Sequence, residues 1–96
     1  MNRHEMIVRL AELAGLSLPE ARRAVRALFS VAEGEGLIAD ALDQGERVVV
    51  TGFGTFQARW RGPRLFRDPG SGRLSRLEPV RVVRFRPGAG LRERLR

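Results

Sequence analysis

The sequence has no cysteine, no lysine and a single histidine, His4. Without cysteine, neither a disulfide framework nor a thiolate metal site can form. With one histidine, a zinc cluster or a Ser-His-Asp triad has no conventional construction. No apolar run reaches the roughly 18 residues that cross a bilayer, and no signal-peptide core follows Met1, so no membrane association is expected. Carboxylates paired for acid–base work are missing too. Gly34-Glu35-Gly36 and Gly70-Ser71-Gly72 are too short for a phosphate-cradling loop, and no lysine follows either. An enzyme is therefore not expected, and no cofactor or small-molecule substrate is implied.

What is present is charge of one kind in one place. The chain is 96 residues long with a formal net charge of +7, and all 18 of its basic residues are arginine. Residues 1–46 hold five arginines against eight acids, a net of −3, whereas residues 47–96 hold thirteen against three, a net of +10. A general preference for arginine over lysine does not account for this segregation. Like charges so concentrated repel one another, and a polyanion is the partner that relieves them. Nucleic acid is the expected ligand. The length is that of one small domain, 1–96, whose own core is marginal, so a core shared between chains is expected.

The N-terminal part reads as helices. Asn2 is a good N-cap with Glu5 three residues on, and Met6, Ile7, Leu10, Leu13 and Ala14 follow at helical spacing until Gly15. Ser17 and Glu20 open a second helix, Leu16 is placed to staple onto Ala21, and Ala24, Val25, Leu28 and Phe29 form its stripe. Gly34 and Gly36 interrupt the pattern, which resumes at Leu37 and ends at Gly45. A helix, a break and a further short helix are expected.

After Glu46 the period changes to two. Val48 to Thr51 is a β-branched run, and Gly52-Phe53-Gly54 makes a tight connection. Phe56, Ala58 and Trp60 then alternate with Gln57, Arg59 and Arg61, which predicts a half-buried strand with one apolar and one basic face. Residues 62–79 mix arginine with glycine and proline around a turn at Asp68-Pro69-Gly70-Ser71-Gly72. They read either as a disordered loop or as a two-stranded ribbon too polar to pack on itself. Val80 to Arg86 returns to strand character, and Leu91 and Leu95 lie one turn apart in a short terminal helix.

At Gly52-Phe53-Gly54-Thr55-Phe56 the chain resembles the bacterial histone-like DNA-binding proteins of the HU and integration host factor family. Arg67-Asp68-Pro69 with Gly72, the Val83-to-Gly88 block with Leu91, and the opening Asn2-to-Ser17 segment fall in register with that family's motifs. Three departures stand out: Asp68 where the family has asparagine, Leu77-Glu78-Pro79 where it has an Ile-Pro-Ala pattern, and a short insertion around Gly34 and Gly36.

The resemblance implies an α+β intertwined homodimer. Its helical dimerisation part is expected at 1–46, antiparallel saddle strands at 47–61 and 80–86, a protruding DNA-binding ribbon arm at 62–79 and a C-terminal helix at 88–96. It implies a nucleoid-associated, cytoplasmic protein that binds and bends double-stranded DNA through the minor groove with low sequence specificity. Arg59, Arg61, Arg81 and Arg86 would meet phosphates from the saddle, and Arg64, Arg67, Arg73 and Arg76 would follow the arm. Pro69 would wedge between base pairs. Phe53 and Phe56 are expected in the core, and the face bearing Trp60 is expected to be buried. The principal rival is a small basic RNA-binding, ribosome-associated protein; a membrane-surface module lacks the helical apolar face it would need.

Overall fold

The structure, a computed structural model, describes the backbone of residues 1–96 and every side chain except that of Arg64. Residues 1–44 form one compact unit and residues 45–96 a second.

The first unit is three helices: α1 (Arg3–Ala14), α2 (Leu18–Phe29) and α3 (Leu37–Asp43). Their ends are set locally. Asn2 Oδ1 accepts from the Glu5 N–H at 2.8 Å, and Gly15 ends α1 in the left-handed region at φ 67°. Of the expected Asn2–Glu5 pair the structure shows this one bond, while Ser17 and Glu20 make both halves of theirs, at 3.2 and 2.9 Å. The Glu20 carboxyl is held below its ordinary pKa, first by the Ser17 backbone N–H it accepts and next by the Ser17 hydroxyl contact.

The two helices bury Ile7, Ala11, Ala21 and Val25 against one another, with Met6, Leu10 and Leu16 alongside. This core is small, and Val25 is its largest fully buried side chain. The α1 stripe is only partly used, since Leu13 is 89% exposed while Ala11, outside the expected stripe, is buried.

The expected break lies between α2 and α3. The Ala32 N–H donates to Ser30 Oγ, the Glu35 N–H to the Ala32 carbonyl, and the Gly34 N–H to Asp40 Oδ1. Gly36 closes the excursion because a Cβ there would overlap the Ser30 carbonyl. The excursion is thus ordered by its own hydrogen bonds.

The second unit holds a three-stranded antiparallel sheet in the order β1-β2-β5, formed by β1 (Val48–Val50), β2 (Gly54–Arg61) and β5 (Val80–Pro87). A two-stranded ribbon joins β2 to β5: β3 (Arg64–Arg67) and β4 (Leu74–Leu77). Residues 62–79 therefore contain a ribbon, the second of the two sequence readings. The β2–β5 ladder runs unbroken from Gly54 opposite Pro87 to Arg61 opposite Val80.

A short helix, α4 (Ala89–Arg94), follows β5. The Gly88 and Leu91 N–H groups bond to the carbonyls of Phe53 and Gly52. This approach is close enough that a Cβ on Gly88 would lie 2.8 Å from the Gly52 carbonyl.

Candidate nucleic-acid interface

Residues directly opposite in an antiparallel ladder share a face, and successive residues alternate between faces. The β2–β5 register therefore sorts the arginines without ambiguity. One face carries Thr55 opposite Arg86, Gln57 opposite Arg84, Arg59 opposite Val82 and Arg61 opposite Val80. Arg59, Arg61, Arg84 and Arg86 thus stand together, all exposed.

The other face carries Phe56 opposite Phe85, Ala58 opposite Val83 and Trp60 opposite Arg81. Phe85 makes tilted ring contacts with Phe56 at 4.8 Å and Phe53 at 5.8 Å between centroids.

The faces bear on two expectations. Arg81 lies on the apolar face, its guanidinium 5.7 Å from the Trp60 ring centroid, and not beside Arg59, Arg61 and Arg86. Arg84, absent from the expected set, stands on the basic face. The signal was in the sequence: Arg84 shares parity with Arg86, whereas Arg81 shares parity with Val83 and Phe85. Trp60 is also 69% exposed, where its face was expected to be buried. The ring contacts that occupy this face gather around Phe85 and end before Trp60.

The ribbon continues the basic surface. Its register pairs Arg64 with Leu77, Leu65 with Arg76, Phe66 with Ser75 and Arg67 with Leu74. The Arg64 side chain lies outside the described residues; Arg67, Arg73 and Arg76 are exposed.

The tip is closed by backbone and side chain together. The Asp68 N–H donates to the Arg73 carbonyl at 2.9 Å, and the Gly72 N–H donates to the Asp68 carbonyl at 2.7 Å. The Asp68 carboxylate accepts from the Gly70 N–H at 2.9 Å and the Ser71 hydroxyl at 3.1 Å. These two bonds, the Gly70 one first, hold its pKa below the ordinary aspartate value. Arg67 Nη1 donates to the Gly72 carbonyl at 3.1 Å. Gly72 adopts φ 72°, which the turn requires and glycine supplies without strain. Pro69, next to Asp68 in this turn, is exposed. Asp68 thus shapes the turn while remaining exposed and ionised.

Among the described residues no cluster of histidine, cysteine and carboxylates could hold a metal ion, and no helix is long and apolar enough to cross a membrane.

These features define a small α+β protein that gathers positive charge on one sheet face and on a two-stranded ribbon with an exposed proline at its tip. The family model described as bacterial DNA-binding protein matches residues 1–96. The chain is 37% identical over 93 residues to the DNA-binding protein HU of Geobacillus stearothermophilus, covering 97% of each chain. It is 35% identical over 96 residues to the integration host factor subunit beta of Colwellia psychrerythraea, covering 99% of this chain and 95% of that one. The Anabaena HU–DNA cocrystal structure superposes with a TM-score of 0.82 at 28% identity, covering 99% of this chain and 97% of that one. The chain belongs to the bacterial DNA-binding protein family of HU and integration host factor.

Proposed function

We propose that this protein is an architectural, nucleoid-associated factor that grips double-stranded DNA as a homodimer and bends it. One observation carries the reading: Arg59, Arg61, Arg84 and Arg86 share one sheet face that leads into an arginine-bearing ribbon. The sheet arginines meet phosphates, where a planar guanidinium pairs with two oxygens and stays charged at every working pH. Arg64, Arg67, Arg73 and Arg76 follow the arm into the minor groove, whose negative potential draws inserted cations. Arg81 orders Trp60 and stays off the backbone.

Pro69, exposed in the turn at the arm tip, wedges between base pairs, unstacks them and fixes a kink. The minor groove distinguishes little beyond A·T from G·C, so binding follows bendability more than sequence. The role is architectural, and no reaction is catalysed. The homodimer follows from the poverty of the single-chain core, which buries five hydrophobic residues and leaves Leu28, Phe29 and Phe53 at least 39% exposed. The protein acts in the cytoplasm, on the chromosome. The relatives reported above lend nothing to the RNA-binding alternative.

A gel-shift series on linear, nicked and four-way-junction duplexes at several salt concentrations tests the reading. Nicked and junction DNA are expected to bind more tightly, because part of the deformation cost is already met. Equal affinity for all three, with no bend in the linear duplex, would overturn it.

A further inference from the structure

The arm carries more apolar surface than a grip on phosphates requires. Leu65 and Leu74 are 71% and 58% exposed, on a ribbon that also bears Arg67, Arg73 and Arg76. The β3–β4 register pairs Leu65 with Arg76 and Arg67 with Leu74. Opposed residues share a face, so these four form a square with leucines on one diagonal and arginines on the other. The opposite face carries Phe66 across from Ser75, and then Leu77, which is half-buried and lines a cavity at the arm base with Arg61, Gly62, Glu78 and Val80. Leu65 and Leu74 are more exposed than Phe66, which is 47% exposed, and than the half-buried Leu77.

A surface that alternates cation and leucine fits a groove whose rims are anionic and whose walls are apolar. The minor groove of a DNA duplex has that character, with phosphates outside and deoxyribose between. In an RNA duplex the corresponding surface displays 2′-hydroxyls. We propose that Leu65 and Leu74 make the arm selective for deoxyribose over ribose, an inference that rests on the reading of the arm as a minor-groove element. Against deoxyribose, the leucines remove apolar surface from water on both sides. Against ribose, they cover a hydroxyl and leave it without a partner. Arg67 and Arg76 gain from either backbone, so the choice of sugar falls to the leucines.

The test uses the full-length protein and three duplexes of one sequence: DNA, a DNA–RNA hybrid and RNA, at one salt concentration. The wild type is expected to bind in that order. The variant Leu65→Thr/Leu74→Thr places β-branched, strand-compatible residues there and replaces the apolar surface with polar surface. It is expected to lose roughly tenfold on DNA, about the worth of one partly buried leucine, and much less on RNA. Leu65→Met/Leu74→Met preserves the apolar volume and is expected to keep the wild-type preference. Duplex shape contributes to the ratio in every variant, so the change in ratio on substitution is the readout. A wild type indifferent to the sugar, or a threonine variant that loses equally on DNA and RNA, would overturn the inference and leave the DNA-binding reading intact. A wild type that binds no duplex would overturn the DNA-binding reading instead.

Discussion

The division of arginines between the two sheet faces can be tested by salt titration, because each face makes a different prediction. Arg59→Ala removes one guanidinium from each protomer, and hence two phosphate contacts from a DNA-bound homodimer. Each contact contributes about 0.9 to the slope of log K against log salt, so the slope should flatten by about 1.8. A slope difference of that size means that the wild-type advantage shrinks by roughly tenfold between about 50 and 200 mM salt. Arg84→Ala should behave alike, since Arg84 stands on the same face. Arg81→Ala should leave the slope where it was, because Arg81 lies across the sheet beside Trp60. It should instead change the emission of Trp60, the only tryptophan, whose ring loses a guanidinium 5.7 Å away. Binding is best followed by fluorescence anisotropy of labelled duplex at several salt concentrations, with dimer mass checked for each variant. If Arg81→Ala flattened the line as much as Arg59→Ala, or Arg84→Ala left it untouched, the assignment of faces would be wrong.

Other perturbations give sharp outcomes. Pro69→Ala should lower the bend angle, read by energy transfer between duplex ends, far more than it lowers affinity; on DNA nicked at the kink, mutant and wild type should bind alike. The Asp68 carboxylate is depressed in pKa by the bonds it accepts from Gly70 and Ser71, so tip order is complete above the ordinary aspartate pKa and is lost as pH falls through the lower folded value. The Gly70 amide resonance should report that loss, and Asp68→Asn should abolish the titration while tightening DNA binding at neutral pH. Val25, 2% exposed, should cost about 2 kcal/mol as Val25→Ala in chemical denaturation. Gly36→Ala should cost about 1–3 kcal/mol, because the added Cβ meets the Ser30 carbonyl.

What the sequence discloses follows the range of each interaction. Helix ends are decided within a few residues, so Asn2, Gly15, Ser17 and Glu20 were readable as caps, and the structure shows their bonds. Glycine at 34 and 36 signalled the break for the same reason, although its hydrogen bond to Asp40 spans six positions and carries no local pattern. The sorting of arginines needed only parity along β5. Alternation along that strand sets Arg84 with Arg86 and Arg81 with Phe85. The turn role of Asp68 was legible as composition, but its acceptance of both a backbone and a hydroxyl donor was not. That bonding gives the carboxylate a role in shaping the turn, while its negative charge remains on the arm.

Burial is the property that one chain cannot disclose, in sequence or in structure. The periodicity of α1 and α2 marks Leu13, Leu28 and Phe29 as residues that need an apolar neighbour, yet they are 89%, 39% and 47% exposed. A stripe specifies which side chains leave water and is silent on whose side chains they meet. For a chain whose buried hydrophobics end at Ile7, Ala11, Ala21, Val25 and Leu42, the missing neighbours come from a second copy. Folding and dimerisation are then one transition, so the midpoint of thermal unfolding should rise with protein concentration. A folded monomer at micromolar concentration, with a midpoint indifferent to dilution, would mean that these side chains are exposed by design and that the homodimer is wrong.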